Sequence, residues 1–191
     1  MPICKLVTHI HPQYQQEGLG KFFDEESYES LYHYLTKENS NDSKNMKEKR
    51  NKMPQNLHGA RCLDYARAPQ EMAAVSKAFG KNKGKKLRHY VMSLSPEECN
   101  ILGADHDSCC IDLADIAEHF LDCFHNQYQC FYCIHEDTMH PHVHICQSTV
   151  NFKTGKKDPG DKASYFSIVN QMNQYLHNEY GLHLRMIADE S

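Results

Sequence analysis

Along the chain the spacing of apolar positions changes period several times, and each period predicts an element. Residues 2–10 (PICKLVTHI) are dense in apolar and β-branched types and predict an opening strand. Tyr28, Leu31, Tyr32 and Leu35 then fall at i, i+3, i+4 and i+7, one face of a helix from Glu25 to about Lys37. Acidic residues crowd its first turn, where the helix dipole favours them. Residues 38–55 are polar and rich in Lys and Asn, which predicts an exposed loop. A second helix is expected over Pro69–Phe79, closed by Gly80. Leu87–Leu94 alternates as a strand does, with Tyr90, Met92 and Leu94 on one face and His89, Val91 and Ser93 on the other. Ser95, Pro96, Glu97 and Glu98 supply an N-cap, a first-turn proline and acids, so a helical region opens there. The polar stretch GADHDS interrupts it, and Ile111–Phe124 resumes it with Ile116, Phe120 and Cys123 on one side. Gln129–Ile134 and Val143–Phe152 predict two strands around a turn. Ala163–Tyr180 predicts a last helix with Phe166, Val169, Leu176 and Tyr180 inward, Gly181 as its C-cap, and HLRMIA (183–188) as a closing strand. Five strands and several helices make an α+β chain, and no internal repeat or second domain is visible.

Composition narrows the function classes. The chain has 191 residues, with 21 Lys+Arg against 25 Asp+Glu, a formal charge of −4. That length suits one domain, residues 1–191, which could also be the N-terminal part of a longer protein. No apolar run is long enough to span a membrane and no secretory signal is visible, so no membrane insertion is expected. Nine cysteines without a signal point to reduced thiols and a cytoplasmic location. Mild acidity argues against a generic polyanion binder, yet Lys77, Lys81, Lys83, Lys85, Lys86 and Arg88 form a run with no acid among them.

The densest chemistry lies at residues 135–144 (HEDTMHPHVH), four histidines in ten residues of a chain that holds 14. On a strand starting near Val143, His142 and His144 project from one face, because side chains alternate with period two. A turn through Pro141 folds the chain back so that His135, at the end of the preceding strand, faces that pair. Three neutral imidazoles suit a transition metal such as Mn, Ni or Zn better than Mg, and three protein ligands leave positions open, as in a catalytic site. His140 sits on the turn, while Glu136 and Asp137 are placed to orient an imidazole from behind the metal. The bland alternative is a His-rich surface turn with adventitious metal affinity. Cys130 and Cys133 would face opposite sides of a strand, and Cys109-Cys110 reads as helix filling; neither pair completes a zinc site.

The segment HEDTMHPHVHI resembles the metal motif of the relaxases, the mobilisation endonucleases of conjugative plasmids and integrative elements, within the HUH endonuclease group. The resemblance extends through HGARCLDYARAPQEMAAVSKAFGKNKGKKLRHYVMSLSPEECNILG, NFKTGKK and NEYGLHL, most of residues 28–184, and is nearest to the VirD-like, single-tyrosine type. It implies a central, largely antiparallel five-stranded sheet flanked by helices, a relaxase nicking domain. It also implies a tyrosine on the first helix, followed by a hydrophobic residue, that attacks a DNA phosphate. LYHYLTK matches at Tyr34-Leu35, and Tyr34 lies off the apolar stripe that holds Tyr28 and Tyr32; Tyr32 is the alternative nucleophile. The chain carries Lys37-Glu38-Asn39-Ser40 where the family often has a Pro and a Lys-Thr, and Ser148 where it usually has Asn.

The resemblance further implies a divalent metal, Mn or Mg, with Zn or Ni as alternatives, held by His135, His142 and His144. Glu136, Asp137, His140 and His89 would surround it. The partner would be single-stranded DNA at an origin of transfer, nicked and rejoined through a 5′-phosphotyrosine. Its phosphates would be tracked by Lys81, Lys83, Lys85, Lys86 and Arg88 and by Lys47, Lys49 and Arg50 of the polar loop. Accessory relaxosome proteins and a coupling protein would be further partners. Two rival readings stand beside it. One is a small-molecule metalloenzyme using the same histidines, although ICQSTVNF lacks the Glu a cupin would want. The other is a rolling-circle replication initiator or noncatalytic DNA-binding module of the same fold.

Overall fold

The computed structural model describes residues 2–7, 26–36, 57–103, 105–135 and 141–188. The strands are β1 (Ile3–Val7), β2 (His58–Arg61), β3 (Leu87–Ser93), β4 (Tyr128–His135), β5 (His142–Asn151) and β6 (Arg185–Ala188). The helices are α1 (Glu26–Thr36), α2 (Ala68–Ala78), α3 (Pro96–Leu102), α4 (His106–Asp122) and α5 (Lys162–Tyr180), with a 3-10 turn at Tyr65–Arg67 before α2. The strands form one sheet in the order β2-β4-β5-β3-β1-β6. Every pairing is antiparallel except β1 with β6. Among the described residues the sheet therefore has six strands rather than the five expected, the addition being β2 on the edge beside β4.

Alternation along the three central strands sends two sets of side chains to opposite faces. Tyr90, Met92, Cys130, Tyr132, Ile134, Val143 and Ile145 pack against Leu113, Ile116, Phe120 and Phe124 of the α4 region and Ile168, Met172 and Leu176 of α5. Phe120 is wholly buried, and truncating such a ring costs about 3–5 kcal/mol. On the other face Leu87, Phe131 and Cys146 meet Tyr28, Leu31, Tyr32 and Leu35 of α1 and Ala68 and Met72 of α2. The expected inner stripe of α1 is thus the observed one. That of α5 is partly the expected one: Leu176 is inward and Tyr180 packs against the core, but Ile168 and Met172 join them, whereas Phe166 is 65% exposed.

Local chemistry sets the helix ends. Ser95 Oγ accepts from the Glu98 N–H while the Glu98 carboxylate accepts from the Ser95 N–H, a reciprocal cap at the start of α3. Asp105 accepts from the Ser108 N–H, which starts α4 at His106, five residues before the apolar period becomes visible. Gly181 closes α5 at φ 66°, a left-handed conformation that favours glycine.

Candidate active site

The register of the central strands assembles the site. Opposed residues of antiparallel strands share a face, and His135 stands opposite His142, which stands opposite Ser93. One step along, Cys133, His144 and Val91 form the next row. His135, His142 and His144 thereby each offer a ring nitrogen within 4.8 Å of the other two. Their ring centroids are 4.4–5.1 Å apart, with His135 and His144 buried and His142 half-buried. Four imidazoles and a phenol meet here, because two more residues join from neighbouring elements.

The first is His89 of β3, whose Nε2 lies 2.9 Å from His144 Nδ1, the rings stacked at 5.1 Å. Burial, and secondarily the nearby His135, push the His89 imidazole down to about 3, so it is neutral at physiological pH. A neutral His89 can accept from His144 Nδ1–H, which leaves the lone pair of His144 on Nε2. His135 is oriented in a similar way: its Nε2 donates to the carbonyl of Leu35 at 2.8 Å, which leaves Nδ1 as its unprotonated nitrogen. Leu35 belongs to α1, so that hydrogen bond docks the end of the helix onto the site. The second residue is Tyr34, half-buried, whose ring stands edge-on to His144 at 5.9 Å. Tyr32, one turn position away, instead lies 7% exposed in the core, edge-on to Phe131. Glu136, Asp137 and His140 lie outside the described residues, as do Lys47, Lys49 and Arg50. Ser148 is wholly buried and its Oγ accepts from the Val150 N–H.

The expected phosphate-tracking run divides in two. Lys81, Lys83 and Lys85 reach the surface, whereas Lys86 is wholly buried with Nζ on the Lys81 carbonyl at 2.8 Å. Arg88 is likewise buried: its guanidinium pairs with the Asp158 carboxylate and donates to the Asp158 carbonyl at 3.1 Å and to the Tyr165 hydroxyl at 3.0 Å. Gly160, at φ 56°, leaves room for that guanidinium where a Cβ would collide with it. Neither Lys86 nor Arg88 presents its charge to solvent. In their place Lys153 and Lys156 of the turn after β5 are exposed, and Lys157 ties that turn to the run, donating to the carbonyls of Lys83 and Lys85 at 2.6 and 3.0 Å. Burial lowers the Lys157 pKa, and the charges of Lys86 and Lys81 lower it further. The motif NFKTGKK carried the signal for these lysines, but their seventy-residue separation from the first run hid the shared surface.

Fold and site together define an α+β protein whose sheet gathers a three-histidine cluster able to hold a metal ion, under a helix-borne tyrosine. Residues 34–182 match the model of the relaxase family described as MobA/VirD2-like, nuclease domain, and the chain belongs to that family. No curated protein matches the chain. One solved structure, from work on the molecular basis of vancomycin resistance transfer in Staphylococcus aureus, is similar over 70% of this chain and 76% of its own, at 15% identity and a TM-score of 0.38. No helix among the described residues is long and apolar enough to cross a membrane.

Proposed function

We propose that residues 1–191 form one nicking domain that cuts and rejoins a single DNA strand at an origin of transfer, with Tyr34 as nucleophile, to start conjugative transfer. The observation that carries this reading is the edge-on approach of Tyr34 to His144 at 5.9 Å, within a cluster of three imidazoles. Family membership supplies the class of reaction, DNA cleavage by a nuclease domain. Tyr32, packed against Phe131, would have to leave the core to serve instead.

The donor set fits a divalent cation: three imidazoles on rigid strands, two of them already oriented from behind by Leu35 and His89. A metal held by His135, His142 and His144, Mn or Mg with Zn or Ni as alternatives, would supply Lewis-acid polarisation of phosphate oxygens. The residues do the rest. Tyr34 Oη attacks phosphorus, the new P–Oη bond replaces the P–O3′ bond, and the phenolic proton ends on the 3′ oxygen. One phosphodiester is exchanged for another, so the step reverses and the strand can be rejoined. Lys81, Lys83 and Lys85, with Lys153 and Lys156, would meet the DNA backbone. Accessory relaxosome proteins, a coupling protein and a cytoplasmic location belong to the same proposal.

The test is a covalent protein–DNA adduct on a denaturing gel, formed with Mn²⁺ and labelled single strands from the DNA neighbouring the gene. The adduct is expected to vanish with EDTA and in Tyr34→Phe, and to survive in Tyr32→Phe. Loss in Tyr32→Phe with survival in Tyr34→Phe would move the nucleophile. Cleavage that persists in both would point to hydrolysis by water.

A further inference from the structure

The row of the sheet that contains His144 does not end at Cys133. His58 of β2 stands opposite Cys133, so His58, Cys133 and His144 share one face in consecutive strands, with His58 about 10 Å from His144 across the sheet. His58 is exposed, and its ring stacks on Tyr65 at 4.0 Å and 28°. Tyr65 is held in turn: it meets Phe131 edge-on at 5.8 Å and Tyr32 at 5.7 Å. The backbone beneath it is fixed as well, since the Asp64 carboxylate accepts from the Ala66 N–H at 3.0 Å and caps the 3-10 turn. Two residues on, the Arg67 side chain is 70% exposed, its pair with Glu71 long at 3.9 Å. A rigid ring stack that rises from the core to the sheet edge, with an exposed arginine two residues along the chain, has the chemistry that receives an unstacked base and its phosphate.

We propose that the His58–Tyr65 pair is a stacking platform for a nucleobase of single-stranded DNA beside the histidine cluster, with Arg67 taking an adjoining phosphate. The platform rests on the nicking reading above and deepens it by assigning where the strand passes: from Tyr34 and His144 to the exposed edge at β2, beyond the buried Cys133 of β4. Stacking is tolerant of sequence, because every base has a π-face, so the platform would hold the strand in place rather than read it.

The chain has no tryptophan, so His58→Trp keeps a ring in place and adds the lone indole. Fluorescein-labelled oligothymidylate is titrated in Mn²⁺ buffer, with anisotropy reporting binding and indole emission reporting stacking. Wild type and His58→Trp are expected to bind alike, with indole emission quenched along the same isotherm. His58→Ala is expected to bind about tenfold more weakly while melting close to wild type. Phe166→Trp, at an exposed site on the far helix α5, should stay unquenched. An unchanged affinity in His58→Ala, or undimmed emission in His58→Trp while anisotropy reports binding, overturns the platform and leaves the nicking reading intact. Absence of any oligonucleotide binding by wild type overturns both.

Discussion

Asp158→Ala should unfold the protein far more readily than it weakens any DNA contact. The Arg88 and Asp158 side chains are only 7% and 11% exposed, and the guanidinium spends its donors on the Asp158 carboxylate, the Asp158 carbonyl and Tyr165. Burial works against the charge of Arg88, and the adjoining carboxylate, with Tyr165 and Tyr90, more than offsets it. Removing that carboxylate strands a buried cation, a loss of about 3–5 kcal/mol. A domain's whole stability is about 5–15 kcal/mol, and at this chain length each kcal/mol moves Tm by about 2–4 °C, so the expected drop is about 6–20 °C. Arg88→Met should also destabilise, whereas Arg88→Met with Asp158→Ala should recover most of the loss, since no charge is then left unpaired. Thermal melts by circular dichroism give the four corners of the cycle, and fluorescence anisotropy with labelled DNA gives the affinities. If Asp158→Ala and Arg88→Met both melt within about 2 °C of wild type while Arg88→Met loses DNA affinity, the guanidinium faces DNA and the structural account is wrong.

Three further outcomes are expected. Replacing Lys83, Lys153 and Lys156 together by Gln should leave Tm unchanged and flatten the slope of log K against log salt for single-stranded DNA by about 2; a slope equal to that of wild type would remove these lysines from the interface. His89→Ala should weaken Mn²⁺ binding by about 10–100-fold in calorimetry by freeing the tautomer of His144, with His89→Gln recovering part of it. Asp105 and Asp161 have pKa values drawn below the ordinary carboxylate range, chiefly by the backbone N–H groups of Ser108 and Ser164. A lowered folded-state pKa adds stability above the unfolded value and loses it as pH falls. Asp105→Ala and Asp161→Ala should therefore lower Tm at pH 7, with the difference from wild type shrinking as pH falls below the ordinary carboxylate value of about 3.9; a constant difference would exclude the charge as its cause.

Features encoded within a few residues were legible before the fold. The alternation of Leu87–Leu94, the Ser95/Glu98 cap and the shared face of His142 and His144 need only local periodicity, and each appears in the structure. Where a partner is distant, the same reading misplaced side chains. A Lys/Arg run reads as surface, yet Arg88 is buried because Asp158 lies seventy positions away, and Lys86 because a backbone carbonyl folds over it. Phe166 looked inward on an even helical stripe, but α5 turns Ile168 and Met172 to the sheet. The four residues HGAR are too short for a period to show, and only pairing with β4 makes them a strand. Tyr34 was separable from Tyr32 by its place off the stripe, and the structure sets the one by His144 and the other in the core.

The bond from His135 to the Leu35 carbonyl spans one hundred positions and ends on a main-chain atom. No side-chain replacement at Leu35 deletes such an acceptor, so the anchor depends on where the buried face of α1 seats its last turn and not on the chemistry of that side chain. Its length is another matter. Each residue of a helix advances the next by about 100° and 1.5 Å, so one residue inserted between Tyr34 and Leu35 would keep the anchor and swing the phenol off His144. The spacing of ring and anchor is therefore a matter of counting: the helix works as a ruler whose zero mark is a peptide oxygen.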